Sequence, residues 1–246
     1  MNLASLPMYW RAENADLWRG FWAVVQDCAA DVGIQLPDLT EPDALPDDLS
    51  RHWTDSGLAL SMTCGLPFRS VLRDKVRYVG TLDFGLDAPD GHYYSQIITR
   101  SDLSGPPRRL AYNSADSQSG WAAAQEISGF AALTGFIPTG AHANSLAAVA
   151  EGRADIACID AVTWRLLERF DPNASRVTPA GRTRPTPGLP LITALETDPT
   201  PLRSALDAAT ARFSPPDPIA LGGQMRFCVL RPQDYLAEPI PAPPPP

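Results

Sequence analysis

The sequence predicts an α/β fold built on a mainly parallel sheet. Strand-like apolar runs alternate with helical stretches of about 10 to 15 residues along the chain. A composition of 44% hydrophobic and 20% charged residues over 246 positions supplies a proper core. Proline, at 26 residues, marks many loop corners and concentrates at the C-terminal end.

The elements follow in order. Leu3 to Trp10 is a short apolar segment whose end carries Tyr9. Asn14 or Asp16 can cap a helix running through LWRGFWAVVQDCAADVG, where Trp18, Phe21, Trp22, Val25 and Ala29 recur at helical spacing and Gly33 closes the run. After an acidic, proline-containing loop, SGLALSMTCG and KVRYVGTLDFG read as buried strands, and HYYSQIITRSD as a third. RLAY (Arg109 to Tyr112) makes a fourth strand and leads through the loop Asn113 to Gly120 into a helix, WAAAQEISGFAAL. The loop Thr139 to His142 opens the helix ANSLAAVAEG, followed by the strand ADIACID, the helix AVTWRLLERF, the strand GLPLITAL and the helix TPLRSALDAATARF. The closing PAPPPP reads as an extended, disordered tail.

Several function classes are excluded at this level. The net charge of -8 argues against a nucleic-acid binder of the basic-patch kind. No run approaches the roughly 18 apolar residues of a membrane span. The four cysteines, Cys28, Cys64, Cys158 and Cys228, lie far apart without a CxxC pair, so neither a zinc ribbon nor a redox motif is expected. Cys64 and Cys158 follow apolar runs and read as buried small hydrophobes, with disulfides left open. His52 and His92 have no partner at metal-ligand spacing, so no metal or other cofactor is expected. Pro7, Arg11 and Glu13 stand where an export signal would be apolar. The chain is therefore expected to be cytoplasmic if complete, or to be supplied without its leader.

In parallel sheets, ligands bind beyond the carboxyl ends of strands, where loops enter helix N-termini. That rule selects three places. In NSADSQSG, the residues Ser117, Gln118, Ser119 and Gly120 stand at a first helical turn, where hydroxyls and free amides can cradle an anion; simple capping by Ser117 is the commoner role. In TGAHANS, His142 precedes a helix and can donate to an oxyanion, although most such histidines are surface residues. Asp160 ends ADIACID and reads as an N-cap. Tyr93 reads as packing. Ser117 or Ser119, His142 and Asp160 contain the residue types of a hydrolytic triad, but the GxSxG elbow is absent, as is the P-loop. No enzymatic activity is expected.

Taken together, LALSMTCGLPF, KVRYVGTLDF, GHYYSQIITRSD, LAYNSADSQSGW, TGAHANSLAAVAEGRADIACIDAVTW and PGLPLITA resemble, in order, the PhnD-like substrate-binding proteins of ABC transporters for phosphonate, phosphite and phosphate. The resemblance implies a two-lobed type 2 periplasmic-binding-protein fold, with residues 1–95 plus 190–235 in one lobe, 96–189 in the other and a proline-rich tail at 236–246. Crossovers would fall near Ile97–Arg100 and Leu189–Thr193. It further implies a small oxyanion ligand held in the cleft, with Ser117, Gln118 and Ser119 as cradle and His142, Tyr93, Thr63, Cys64, Asp160 and Tyr9 as further contacts. A transporter permease is the implied partner, and the expected state is a monomer. Cys64 and Gln118 depart from residues common in the family, so the ligand can differ from aminoethylphosphonate. A cytoplasmic sensor or an enzyme on the same fold is the alternative.

Overall fold

A computed structural model describes residues 2–245. Among these residues the strands are β1 (Leu3–Ser5), β2 (Leu58–Met62), β3 (Val76–Asp83), β4 (His92–Tyr93), β5 (Ser95–Arg100), β6 (Arg109–Tyr112), β7 (Gly135–Pro138), β8 (Ile156–Asp160), β9 (Val177–Arg182), β10 (Thr186–Pro187), β11 (Pro190–Ala194) and β12 (Arg226–Cys228). The α-helices are α1 (Ala15–Asp31), α2 (Leu49–Trp53), α3 (Gly65–Arg69), α4 (His142–Ala150), α5 (Ala161–Phe170), α6 (Thr200–Arg212) and α7 (Pro232–Leu236). The chain divides into two compact units, Met1–Gly91 with Pro187–Glu238, and His92–Thr186 with Pro239–Pro246.

The first unit is built on the sheet β1-β2-β11-β3-β12. α1 forms because its apolar residues return every three or four positions, and Trp18, Phe21, Trp22, Val25, Cys28 and Ala29 are the face it buries. Phe21 meets Phe213, just past α6, with ring centroids 5.4 Å apart. Leu58, Val76, Tyr78, Ile192 and Ala194 pack with Trp53, Phe68, Leu72 and Tyr235, so strands and short helices share one core. Three buried polar side chains are joined in this core: Ser5 Oγ lies 2.8 Å from His52 Nε2 and 2.7 Å from Ser61 Oγ.

The second unit is built on the sheet β7-β6-β8-β5-β9. β8 is buried on both faces, as a continuous apolar strand should be. Ala157 and Ile159 point into a cluster with Leu146, Val149, Trp164 and Leu167 of α4 and α5. Ile156 and Cys158 point the other way, to Leu110, Tyr112, Trp121 and Leu133. The period of two along one strand thus makes two cores. Asp155 ties the strand starts together, accepting from the N–H groups of Arg108 and Arg109 and pairing with Arg109 Nη2 at 2.7 Å.

Five expectations are corrected. The sheets are mixed, not mainly parallel. β1 and β2 pair in parallel, but β11 runs antiparallel to β2 and β3, and β12 antiparallel to β3. β6 is parallel to β7 and β8, whereas β5 is antiparallel to β8 and β9. The reversed strands β5 and β11 are those that follow the first two passages of the chain from one unit into the other, and each inserts between two strands of opposite direction. The passages fall after Gly91 and after Thr186; Ile97–Arg100 and Leu189–Thr193 lie on the sheet strands β5 and β11.

The helix expected over WAAAQEISGFAAL is also broken into a π-helical turn, Gln118–Ala122, and two 3-10 turns, Ala123–Glu126 and Phe130–Ala132. Ile127 turns extended after the second of these turns, and Gly129, with φ of 88°, takes the left-handed conformation just ahead of the third. Cys64 is half-buried at the N-cap position of α3, whereas Cys158 is fully buried and its thiol is pushed up to about 12 by burial.

The proline-rich end, expected to be disordered, is held against the second unit. The Trp121 indole N–H and the Gln125 side-chain amide both donate to the Ala242 carbonyl, at 2.7 and 2.8 Å. Pro246 lies outside the described residues. No helix among the described residues is long and apolar enough to cross a membrane.

Candidate functional site

β6, β7 and β8 are neighbours running in one direction, so their carboxyl ends share one edge of the second unit's sheet. Each leads into a helical N-terminus: β6 to the turn at Gln118, β7 to α4 beginning at His142, and β8 to α5. β5 runs the opposite way, and Ser95, its first residue, pairs with Asp160, the last of β8. The reversal therefore brings Tyr93 to the same edge. Chain direction alone gathers Tyr93, Ser117, Gln118, Ser119, His142 and Asp160 there.

Within this set, three side chains touch. Ser119 Oγ is 2.9 Å from His142 Nε2 and 3.5 Å from Ser117 Oγ. Ser117 Oγ also accepts from the N–H of Gly120 at 2.9 Å, so it is an N-cap. Ser95 Oγ donates to the Ser119 carbonyl at 2.8 Å and fixes the turn from the neighbouring strand. Gly120 is required here, because a Cβ at this position would collide with Asn113 Oδ1 and stand 3.2 Å from Ser117 Oγ. Ser117, Gln118 and Ser119 are all buried.

Burial lowers the His142 pKa to about 4, so its ring is neutral near pH 7. Its Nδ1 is buried without a hydrogen-bond partner. When Nε2 accepts the Ser119 hydroxyl proton, Nδ1 carries the hydrogen and becomes a neutral donor. Among the described residues no carboxylate meets Nδ1, and Asp160 Oδ1 is engaged by the N–H groups of Val162 and Thr163 at 2.8 and 3.1 Å. The hydrolytic triad is therefore not assembled; Asp160 caps α5. The cluster can donate neutral hydrogen bonds to an acceptor, and it lacks the carboxylate needed to orient a general base.

Two residues at this edge escaped the sequence reading. Asn113 ends the β6 loop entry with a buried Oδ1 that has no hydrogen-bond partner. Ser95 reads as an ordinary strand residue, because its role depends on a strand pairing that no local pattern announces. For Asn113 the available signal was its place just beyond the carboxyl end of a strand.

No family model matches the chain, and no curated protein matches it in sequence. Solved structures do match. One is a binding protein component of an ABC phosphonate transporter from Pseudomonas aeruginosa, at 13% identity and TM-score 0.65, covering 96% of this chain and 82% of that one. Another is PhnD1 from Prochlorococcus marinus in complex with methylphosphonate, at 11% identity and TM-score 0.69, covering 95% and 94%. A third is MatC from Rhodopseudomonas palustris with bound malate, at 11% identity and TM-score 0.58, covering 95% and 92%. The chain has the two-lobed fold of the periplasmic binding proteins.

The first unit of this binding-protein fold carries the remaining expected residues. Thr63 and Cys64 follow the carboxyl end of β2 directly. The Thr63 N–H donates to the Pro190 carbonyl at 2.9 Å, while its buried Oγ1 has no hydrogen-bond partner. Tyr9 lies past the end of β1, in a loop rather than on the strand, because β1 stops at Ser5 ahead of Pro7. Its ring meets Phe84 edge-on at 5.0 Å, and its carbonyl accepts from Asn14 Nδ2 and Trp18 Nε1. No group of three or more His, Cys, Asp or Glu residues that could hold a metal ion occurs among the described residues.

Proposed function

We propose that the protein binds a small phosphorus oxyanion (phosphonate, phosphite or phosphate) as the substrate-binding component of an ABC transporter. The observation that carries the reading is the buried, unpartnered Nδ1 of a neutral His142, joined through Nε2 to Ser119 at a helical N-terminus. A buried donor without an acceptor costs about 1–3 kcal/mol, which a bound anion would return. Neutral donors and backbone amides suffice to hold a tetrahedral oxyanion, so the overall negative charge is no obstacle. Ser117, Gln118, Ser119 and His142 are the proposed cradle, with Tyr93 and Asp160 at the same sheet edge. Thr63, Tyr9 and Cys64 are the proposed contacts on the first unit.

Structures of similar fold include one with methylphosphonate, which supports this class, and others with malate or adipate, which set the competing one. In this reading the protein works in the periplasm and hands its ligand to a membrane permease. Titration calorimetry with phosphate, phosphite, methylphosphonate and aminoethylphosphonate, against malate and adipate, is the test. Saturable binding of a phosphorus oxyanion is the expected result. Binding of the dicarboxylates alone would replace the proposed ligand class.

A further inference from the structure

The last eight residues are PIPAPPPP, and only Ile240 and Ala242 among them carry a backbone N–H. Such a segment cannot complete a helix or join a sheet, and its natural conformation is the extended polyproline-II helix of three residues per turn. The exposure pattern follows that period. Pro241 and Pro244 are half-buried, while Pro239, Ile240, Ala242, Pro243 and Pro245 are exposed.

Against this segment stand two side-chain donors, the indole N–H of Trp121 and the amide of Gln125, both directed to the Ala242 carbonyl. A chain with almost no N–H groups offers carbonyls and ring faces, and an aromatic donor beside an amide donor is the matching chemistry. Trp121 is held rigidly in this position. It is 1% exposed and packs on Tyr112, Phe130 and Phe136 with ring centroids 5.0, 5.8 and 5.7 Å away.

We propose that Trp121 and Gln125 form a docking face for a polyproline-II segment, and that its occupant is the chain's own residues 239–245, bound in cis. The restricted φ angles of proline make the segment extended before it docks, so little conformational entropy is lost. The short covalent link supplies an effective concentration in the millimolar range, enough for a contact resting on two hydrogen bonds and two proline rings. The proposal is independent of which ligand the cradle takes.

The test compares the full chain with one ending at Glu238, following hydrogen exchange of the Trp121 indole N–H by NMR, with Trp121→Phe assigning the resonance. Truncation is expected to speed that exchange by about tenfold or more. A synthetic EPIPAPPPP peptide at millimolar concentration is expected to slow it again in the truncated chain and to leave the full chain unaffected. Unchanged exchange on truncation would overturn the proposal, as would equal protection by a peptide with every proline replaced by alanine. Gln125→Ala in the full chain decides the matter should the truncated protein fail to fold. Faster motion of the Ala242 amide in that variant supports docking, and motion identical to the parent overturns it.

Discussion

Ser119 Oγ and His142 Nε2 stand 2.9 Å apart although 23 residues separate them in sequence. The pair exists because β6 and β7 are parallel neighbours, so the turn after one and the helix after the other begin side by side. If the Nδ1 hydrogen of His142 meets a bound anion, His142→Ala should weaken binding by about ten- to a hundredfold, the loss of one hydrogen bond to a charged acceptor, and Ser119→Ala, which removes the hydroxyl that fixes the His142 tautomer, should weaken it in the same direction. The double variant should lose less than the sum of the two. Calorimetry on the three proteins checks this; strict additivity would place the two side chains on separate events.

Ser117 is expected to behave differently from Ser119, because its Oγ already accepts from the Gly120 N–H. Ser117→Ala should cost about 1 kcal/mol of stability, the usual value of a lost N-cap. Chemical denaturation gives the stability term, and titration of the same variant shows whether its hydroxyl also serves the ligand.

The low pKa of His142 makes stability depend on pH in a defined direction. The ring in the unfolded chain titrates near 6.5, while in the fold burial holds it down to about 4. Between those values the unfolded state binds more protons, so stability falls as pH drops from about 6.5 towards 4 and is fully present above that window. The loss by pH 4.5 should be on the order of 2 kcal/mol. His52, whose pKa burial also lowers, adds a loss of the same sign. Urea melts at pH 7 and 4.5 on the parent and on His142→Asn separate the two, since only the His142 share disappears in the variant.

The strands and helices that sequence made legible are those whose pattern is local. α1 announces itself through Trp18, Phe21, Trp22, Val25 and Ala29, and β8 through an unbroken buried run. The placement of Ser117, Ser119, His142 and Asp160 was legible for the same reason: all four sit where a strand end meets a helix start. What was not legible depends on pairing across the chain. β7, with Pro138 at its end, and β9, with Pro179 inside it, look like loops until β6 and β5 supply partners. The reversed direction of β5 and β11 likewise has no local signature. Asp160 shows the limit of residue type as a guide, because the carboxylate that could orient a histidine instead caps its own helix.

Gly120 offers the sharpest packing test. A methyl group at this position would fall far inside contact distance of Asn113 Oδ1, and would also press on the capping hydroxyl of Ser117. Gly120→Ala must therefore move the Asn113 side chain or open the turn, and should cost about 1–3 kcal/mol. The obstructing atom belongs to a side chain, so shortening it should relieve the strain. Asn113→Ala combined with Gly120→Ala should be more stable than the sum of the single effects predicts, a coupling of at least about 0.5 kcal/mol. Thermal or chemical melts of the four proteins measure the cycle. Additive losses would mean that the turn itself, and not the approach of Asn113, excludes a side chain at this position.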